Sequence, residues 1–106
     1  MKKTFQEVRR VLKRPGKCIL IETLGTMTDE VNPPGILLDL YEYYEAVEGY
    51  TRNTIRTDYK FKSVREAVRL CTFFFGDEVG KIIQERGTAI VPEYTGVWIN
   101  DYSQEF

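Results

Sequence analysis

Apolar residues recur along the chain with changing period, and each period predicts an element. Phe5, Val8, Val11 and Leu12 share one face at helical spacing, with basic side chains opposite them. This predicts a first helix over 4–13, stopped by Pro15-Gly16. Lys17-Cys18-Ile19-Leu20-Ile21-Glu22-Thr23 is short and nearly continuously apolar, which predicts a strand covered on both faces. Residues 24–35 read as a polar loop, long for a connection inside a small domain and therefore a candidate functional loop.

A second helix is predicted over 34–48. Ile36, Leu37, Leu40, Tyr41, Tyr43, Tyr44 and Val47 form its broad apolar face, and Gly49 its stop. Residues 50–61 alternate as a second strand whose polar side, Arg52, Thr54, Arg56 and Asp58, suits a sheet edge. Ser63 and Glu66 form a capping box at the start of a third helix. Its core face is Val64, Ala67, Val68, Leu70, Cys71, Phe74 and Phe75, and Gly76 ends it. Phe73 lies off that face and should meet the last strand or another chain. Asp77 should cap a fourth helix that runs to Arg86 and closes at Gly87. Residues 88–100 read as a third strand, irregular at Pro92. The order α-β-α-β-α-α-β, without repeat or linker, predicts one α/β domain over 1–106.

Composition narrows the function. The chain has 106 residues, 42% of them hydrophobic and 29% charged, which excludes disordered and low-complexity classes. No apolar run approaches the roughly 20 residues of a membrane span, and no apolar stretch of secretory type follows the N-terminal lysines. With no histidine, Ser-His and Cys-His nucleophile pairs and His-ligated zinc are excluded. Cys18 and Cys71 sit among apolar neighbours with no C-x-x-C spacing. Two buried, reduced thiols in a cytoplasmic protein are expected, rather than a disulfide or metal site.

Net charge is −1 but unevenly spread. Residues 1–17 carry seven basic groups and one acid, Glu7, for +6, and the remainder carries −7. Such a segment either faces solvent, pairs within the molecule or meets an anionic partner. The solvated face is preferred, and nucleic acid is not the favoured partner.

The eight glycines include no G-x-G pair and no G-K-[ST] loop, so neither dinucleotide nor P-loop fingerprints occur. Tyr41, Tyr43 and Tyr44 either stack on an aromatic ligand or, as is commoner, line a core helix. Glu22 ends the first strand, where α/β ligand crevices lie, and reads either as a site carboxylate or as a helix-cap contact. No pair of acids has a distinctive spacing, and no catalytic residue or metal ligand set stands out.

The stretch Glu7-Val8-Arg9-Arg10-Val11-Leu12-Lys13-Arg14-Pro15-Gly16, followed by Lys17–Glu22, resembles class I S-adenosylmethionine (SAM)-dependent methyltransferases of the type 11-like group. There a helix ending R-V-L-K-P-G-G leads into the fifth strand. Arg14 and Pro15 stand here where that family has Pro and Gly, and Gly16 matches the last Gly. The stretch Ile90-Val91-Pro92-Glu93-Tyr94-Thr95-Gly96-Val97-Trp98 resembles the family's closing strand. The resemblance spans nearly all of the chain but only the second half of the family's domain. It implies half of a Rossmann-like methyltransferase fold, a three-stranded mixed sheet flanked by helices, with the last strand central and antiparallel.

It also implies a transferase-related chain that lacks the cofactor-binding half, so no cofactor is expected for the isolated chain, SAM being implied by family only. The loop from Thr23 to Asn32 would border the acceptor pocket, which makes Glu22, Thr23, Gly25, Thr26 and Asn32 the candidate substrate-side residues. Strand 17–23 would be left with an open edge, so the expected partner is a second copy of the chain or a separately encoded N-terminal half. A charge at Leu20 is expected to disturb that assembly. The alternative is a non-enzymatic interaction module whose basic helix binds nucleic acid or an acidic protein.

Overall fold

The computed structural model describes residues 2–102. Helix α1 spans Lys2–Val11 and leads into strand β1, Gly16–Thr26. A 3-10 turn, Gly35–Leu37, enters helix α2, Leu38–Glu42, which continues as a π turn over Tyr43–Val47. Strands β2, Thr51–Arg56, and β3, Tyr59–Lys60, follow. Helices α3, Val64–Phe75, and α4, Asp77–Arg86, precede strands β4, Ile90–Val91, and β5, Glu93–Tyr102.

The main sheet has the order β1-β5-β2, and β5 is antiparallel to both neighbours. The last strand is thus central, as expected. The sheet is not mixed, however, because every neighbouring pair is antiparallel. The edge position of β2 also stands. A second, two-stranded ribbon pairs β3 with β4.

This ribbon arises because both predicted long strands break. Pro92 has no N–H to donate and divides residues 88–100 into β4 and β5. Opposite it, Asp58 leaves the ladder: its Oδ1 accepts the Glu93 amide at 3.1 Å and its carboxylate pairs with Arg56. Residues 50–61 therefore divide at 57–58 into β2 and β3.

The apolar residues form two clusters. The larger packs Phe5, Leu24, Tyr41, Tyr44, Tyr50, Trp98 and Tyr102 between one sheet face and the helices α1 and α2. The aromatic cluster of α2 is core, with Tyr41 and Trp98 ring centres 4.6 Å apart. The smaller cluster, Ala67, Cys71, Ile83 and Val91, joins α3 and α4 to β4. The molecule measures 53 × 25 × 22 Å, with a radius of gyration of 17.3 Å. A compact chain of this length would have about 13 Å.

The expectation that β1 is covered on both faces fails. Cys18, Leu20 and Leu24 face the core, but Ile19 is 55% and Ile21 67% exposed on the opposite side. The register places Val97 and Ile99 of β5 beside them, and Ile55 of β2 follows on the same bare face. The reason is topological: both helices of the larger cluster lie on one side. Leu20 is paired with Trp98 on the core side, so a charge there would attack the core rather than the assembly.

Three other expectations need correction. Val11 is exposed because it lies about 100° round α1 from Leu12, at the rim of the packed face, and Ile36 and Val47 are exposed because α2 is only a short segment between two differently wound turns. Phe73, Phe74 and Phe75 are exposed, and Phe73 packs edge-on against Phe74 rather than on the last strand. Asp77 does not cap α4. A single residue, Gly76 at φ 99°, ends α3 and begins α4, so the cap position belongs to it. The Ser63 cap forms as read: Ser63 Oγ accepts the Glu66 amide at 3.1 Å, and Glu66 Oε1 accepts the Lys62 amide at 3.3 Å.

Candidate functional site

The predicted substrate-side loop lines a cleft of about 560 Å³ at the end of β1. Thr23, Thr26, Thr28 and Asn32 supply its polar wall, and Pro33, Pro34, Phe75 and Val79 its apolar one. Strand β1 continues three residues beyond its expected end, and a bulge between Thr23 and Gly25 makes this possible. The extra residue, Leu24, turns fully into the core. The loop then folds back, with the Asn32 amide donating to the Leu24 carbonyl at 2.8 Å. Gly25 allows this closure. Its φ is +138°, and a Cβ there would lie 2.7 Å from Thr28 Oγ1 and 3.0 Å from the Asn32 carbonyl oxygen.

Thr23, Thr26 and Asn32 therefore come together, and Gly25 is buried in the turn that joins them. Glu22 does not join them. Alternation along β1 sends it to the helix-covered face beside Tyr44, whose hydroxyl is held above its usual pKa by burial first and by Glu22 next. From that same face the Tyr41 hydroxyl donates to the Thr23 carbonyl at 2.7 Å. Burial, reinforced by Glu22, pushes the Tyr41 pKa up to about 12.

Behind the two threonines lies a residue that the sequence did not single out. Glu93, 4% exposed, accepts hydrogen bonds from Thr23 Oγ1 at 2.6 Å and Thr26 Oγ1 at 2.5 Å. Its backbone is clamped on the other side: its amide donates to Asp58, and its carbonyl accepts the Thr57 amide at 2.9 Å. The Arg56 hydrogen bond, then the Glu93 amide, holds the Asp58 carboxyl below its ordinary pKa. The only signal for Glu93 in the sequence is its place after the strand-breaking Pro92.

A second concavity of about 420 Å³ lies between α3 and the β3–β4 ribbon, lined by Tyr59, Phe61, Leu70, Cys71, Phe74 and Phe75. It offers no carboxylate, amide or basic group. Burial raises the Cys71 thiol pKa, which keeps it protonated and weakly nucleophilic. Both cysteines are free, and Cys71 is buried as expected, whereas Cys18 is only half-buried because it lies near the end of the open edge strand.

The basic segment finds much of its complement within the chain. Arg9 pairs with Glu48 at 2.5 Å, Arg10 with Glu7, and Lys17 with Asp101 at 3.7 Å. Arg14 donates to the carbonyls of Leu12 and Arg9. Among the described residues no His/Cys/Asp/Glu group is placed to hold a metal, and no helix is long and apolar enough to cross a membrane. No family model, curated protein or solved structure matches the chain.

Proposed function

We propose that the chain is a methyltransferase-like half-domain, corresponding to the acceptor side of a SAM-dependent methyltransferase, which binds no SAM alone and assembles through β1. The observation that carries this reading is the strand order β1-β5-β2. Strands consecutive in sequence are spatial neighbours roughly two-thirds of the time. Here β1 and β2 run in the same direction, joined by a helical crossover, and the last strand lies between them. That is the order the sequence resemblance implies.

Two further features support it. Helices cover only one face of the sheet, and the other carries exposed Ile19, Ile21 and Ile55. Strand β1 also forms an open edge of 11 residues with neither charge nor proline between Cys18 and Ile21. Such an edge accepts another strand. In the simplest assembly β1 meets the β1 of a second copy antiparallel across a two-fold axis. That axis keeps both bare faces on one side, ready for the helices of a separately encoded N-terminal half. Two free thiols fit a cytoplasmic setting.

The interaction-module alternative loses weight because Arg9, Arg10, Arg14 and Lys17 already have acceptors within the chain. Calorimetric titration with SAM tests the main reading. No saturable heat is expected from the chain alone, and a micromolar dissociation constant, about −8 kcal/mol, would overturn it.

A further inference from the structure

Two carboxylate side chains are buried among the described residues: Glu48 is paired with Arg9, whereas no ion pair among the described residues reaches Glu93. A buried carboxylate is costly unless paired, and two neutral hydroxyls compensate it only in part. The uncompensated charge lies directly behind the polar wall of the cleft.

Hydrogen-bond bookkeeping then decides what that wall can hold. A threonine hydroxyl has one proton to donate and two lone pairs. Thr23 and Thr26 both commit their protons to Glu93. Thr23 Oγ1 spends one lone pair on the Gly25 amide at 3.1 Å. Thr28 commits its proton to the Glu30 carbonyl at 2.7 Å. Toward the cleft these hydroxyls can only accept, and Glu93 makes Thr23 and Thr26 stronger acceptors. Pro33, Pro34, Phe75 and Val79 offer apolar surface alongside. Anionic ligands meet a negative field there, and among the polar side chains of the wall only the Asn32 amide keeps protons to donate.

We infer that the cleft binds an organic ammonium group with a short apolar flank, its N–H donors on the oxygens of Thr23 and Thr26 in the field of Glu93. That such an amine is the methyl acceptor rests on the proposed function; the binding does not.

The test is an amide-resolved NMR titration of the full chain with n-butylammonium chloride, with sodium n-butyrate as the charge-reversed control. Saturable shifts are expected at Gly25, Thr26, Asn32 and Gly35 with the ammonium alone. Nα-acetyl-lysine methylamide, titrated in parallel, distinguishes a peptide lysine from a free alkylamine by which of the two saturates first. Glu93→Gln should raise the half-saturation concentration about tenfold, because it removes the nearby negative charge while leaving the threonine oxygens in place. Should that variant fail to fold, Thr26→Val removes an acceptor and leaves the carboxylate in place, with the same expected loss. Equal shifts with butyrate, or variants that titrate like the parent chain, would overturn the inference. Either result can accompany a dimer or a monomer, so failure here is distinguishable from failure of the half-domain reading.

Discussion

Replacing Gly96 by alanine probes the centre of the sheet. Gly96 lies in β5 between Glu22 of β1 and Thr54 of β2, with ordinary strand geometry, so no backbone strain attends the change. The added Cβ would lie 2.5 Å from two carbons of the Trp98 ring and 3.0 Å from Leu24 Cδ1. The ring cannot yield easily. It is fully buried, tilted against Tyr41 with ring centres 4.6 Å apart and edge-on at 5.6 Å to Tyr44, with the Arg52 guanidinium 5.2 Å from its centre. Its indole N–H is tied to Glu45 at 3.2 Å. Overpacking of this kind costs typically about 1–3 kcal/mol. The lower unfolded-state entropy of alanine returns about 0.4–1 kcal/mol. A net loss of about 1–2 kcal/mol remains, or roughly 5–10 °C in melting temperature for a domain of this size. Denaturant unfolding followed by far-UV circular dichroism measures it. In a Trp98→Phe background the smaller ring makes room, so the cost of Gly96→Ala should shrink by about 1 kcal/mol or more, as neighbouring sites couple. A neutral or stabilising Gly96→Ala in the parent chain would refute the packing of Trp98 over this strand.

Alkaline pH should weaken the fold through Tyr41. Its folded pKa is raised from 10.0 to about 12, so its contribution is complete below pH 10 and is withdrawn as pH rises toward 12, about 3 kcal/mol in all. Tyr41→Phe should flatten that decline in stability measured against pH, and an unchanged slope would speak against the buried hydroxyl. Asp58 acts at the acid end. Its folded pKa lies below the ordinary 3.8, so its contribution is present above that value and is lost as pH falls through the folded pKa; Asp58→Asn should remove that acid dependence in urea unfolding. Ser63→Ala removes the cap of α3 and should cost about 1 kcal/mol in thermal unfolding, leaving the Trp98 fluorescence of the folded state unchanged because the two clusters are separate.

Features whose chemistry is local were legible in the sequence. Ser63 and Glu66 stand three residues apart, and the cap they predict forms. The helical phase of Phe5, Tyr41, Tyr44, Ala67 and Cys71 identified buried residues correctly. What escaped depends on partners far along the chain. The division of residues 50–61 needs Asp58 to meet the Glu93 amide, 35 positions away. The extension of β1 needs a bulge at Leu24, which only the register with β5 reveals. In the cleft, Thr23, Thr26 and Asn32 were legible as one loop, whereas Glu93 lies 67 positions from Thr26 and carries no motif. Glu22 was misplaced for a simpler reason: one step along a strand reverses the face. The apolar run at 18–21 reads as doubly covered because composition reports what a strand could bury, not what lies over it.

Light scattering of the purified chain between micromolar and hundred-micromolar concentration tests the half-domain reading most directly. A mass near twice 12.4 kDa is expected, carried by the open edge of β1. Ile21→Lys, which places a charge on the exposed side of that edge and leaves Leu20 in the core, should shift the mass toward 12.4 kDa without loss of Trp98 burial. A folded monomer across the whole range, with Ile21→Lys indistinguishable from the parent chain, would contradict it.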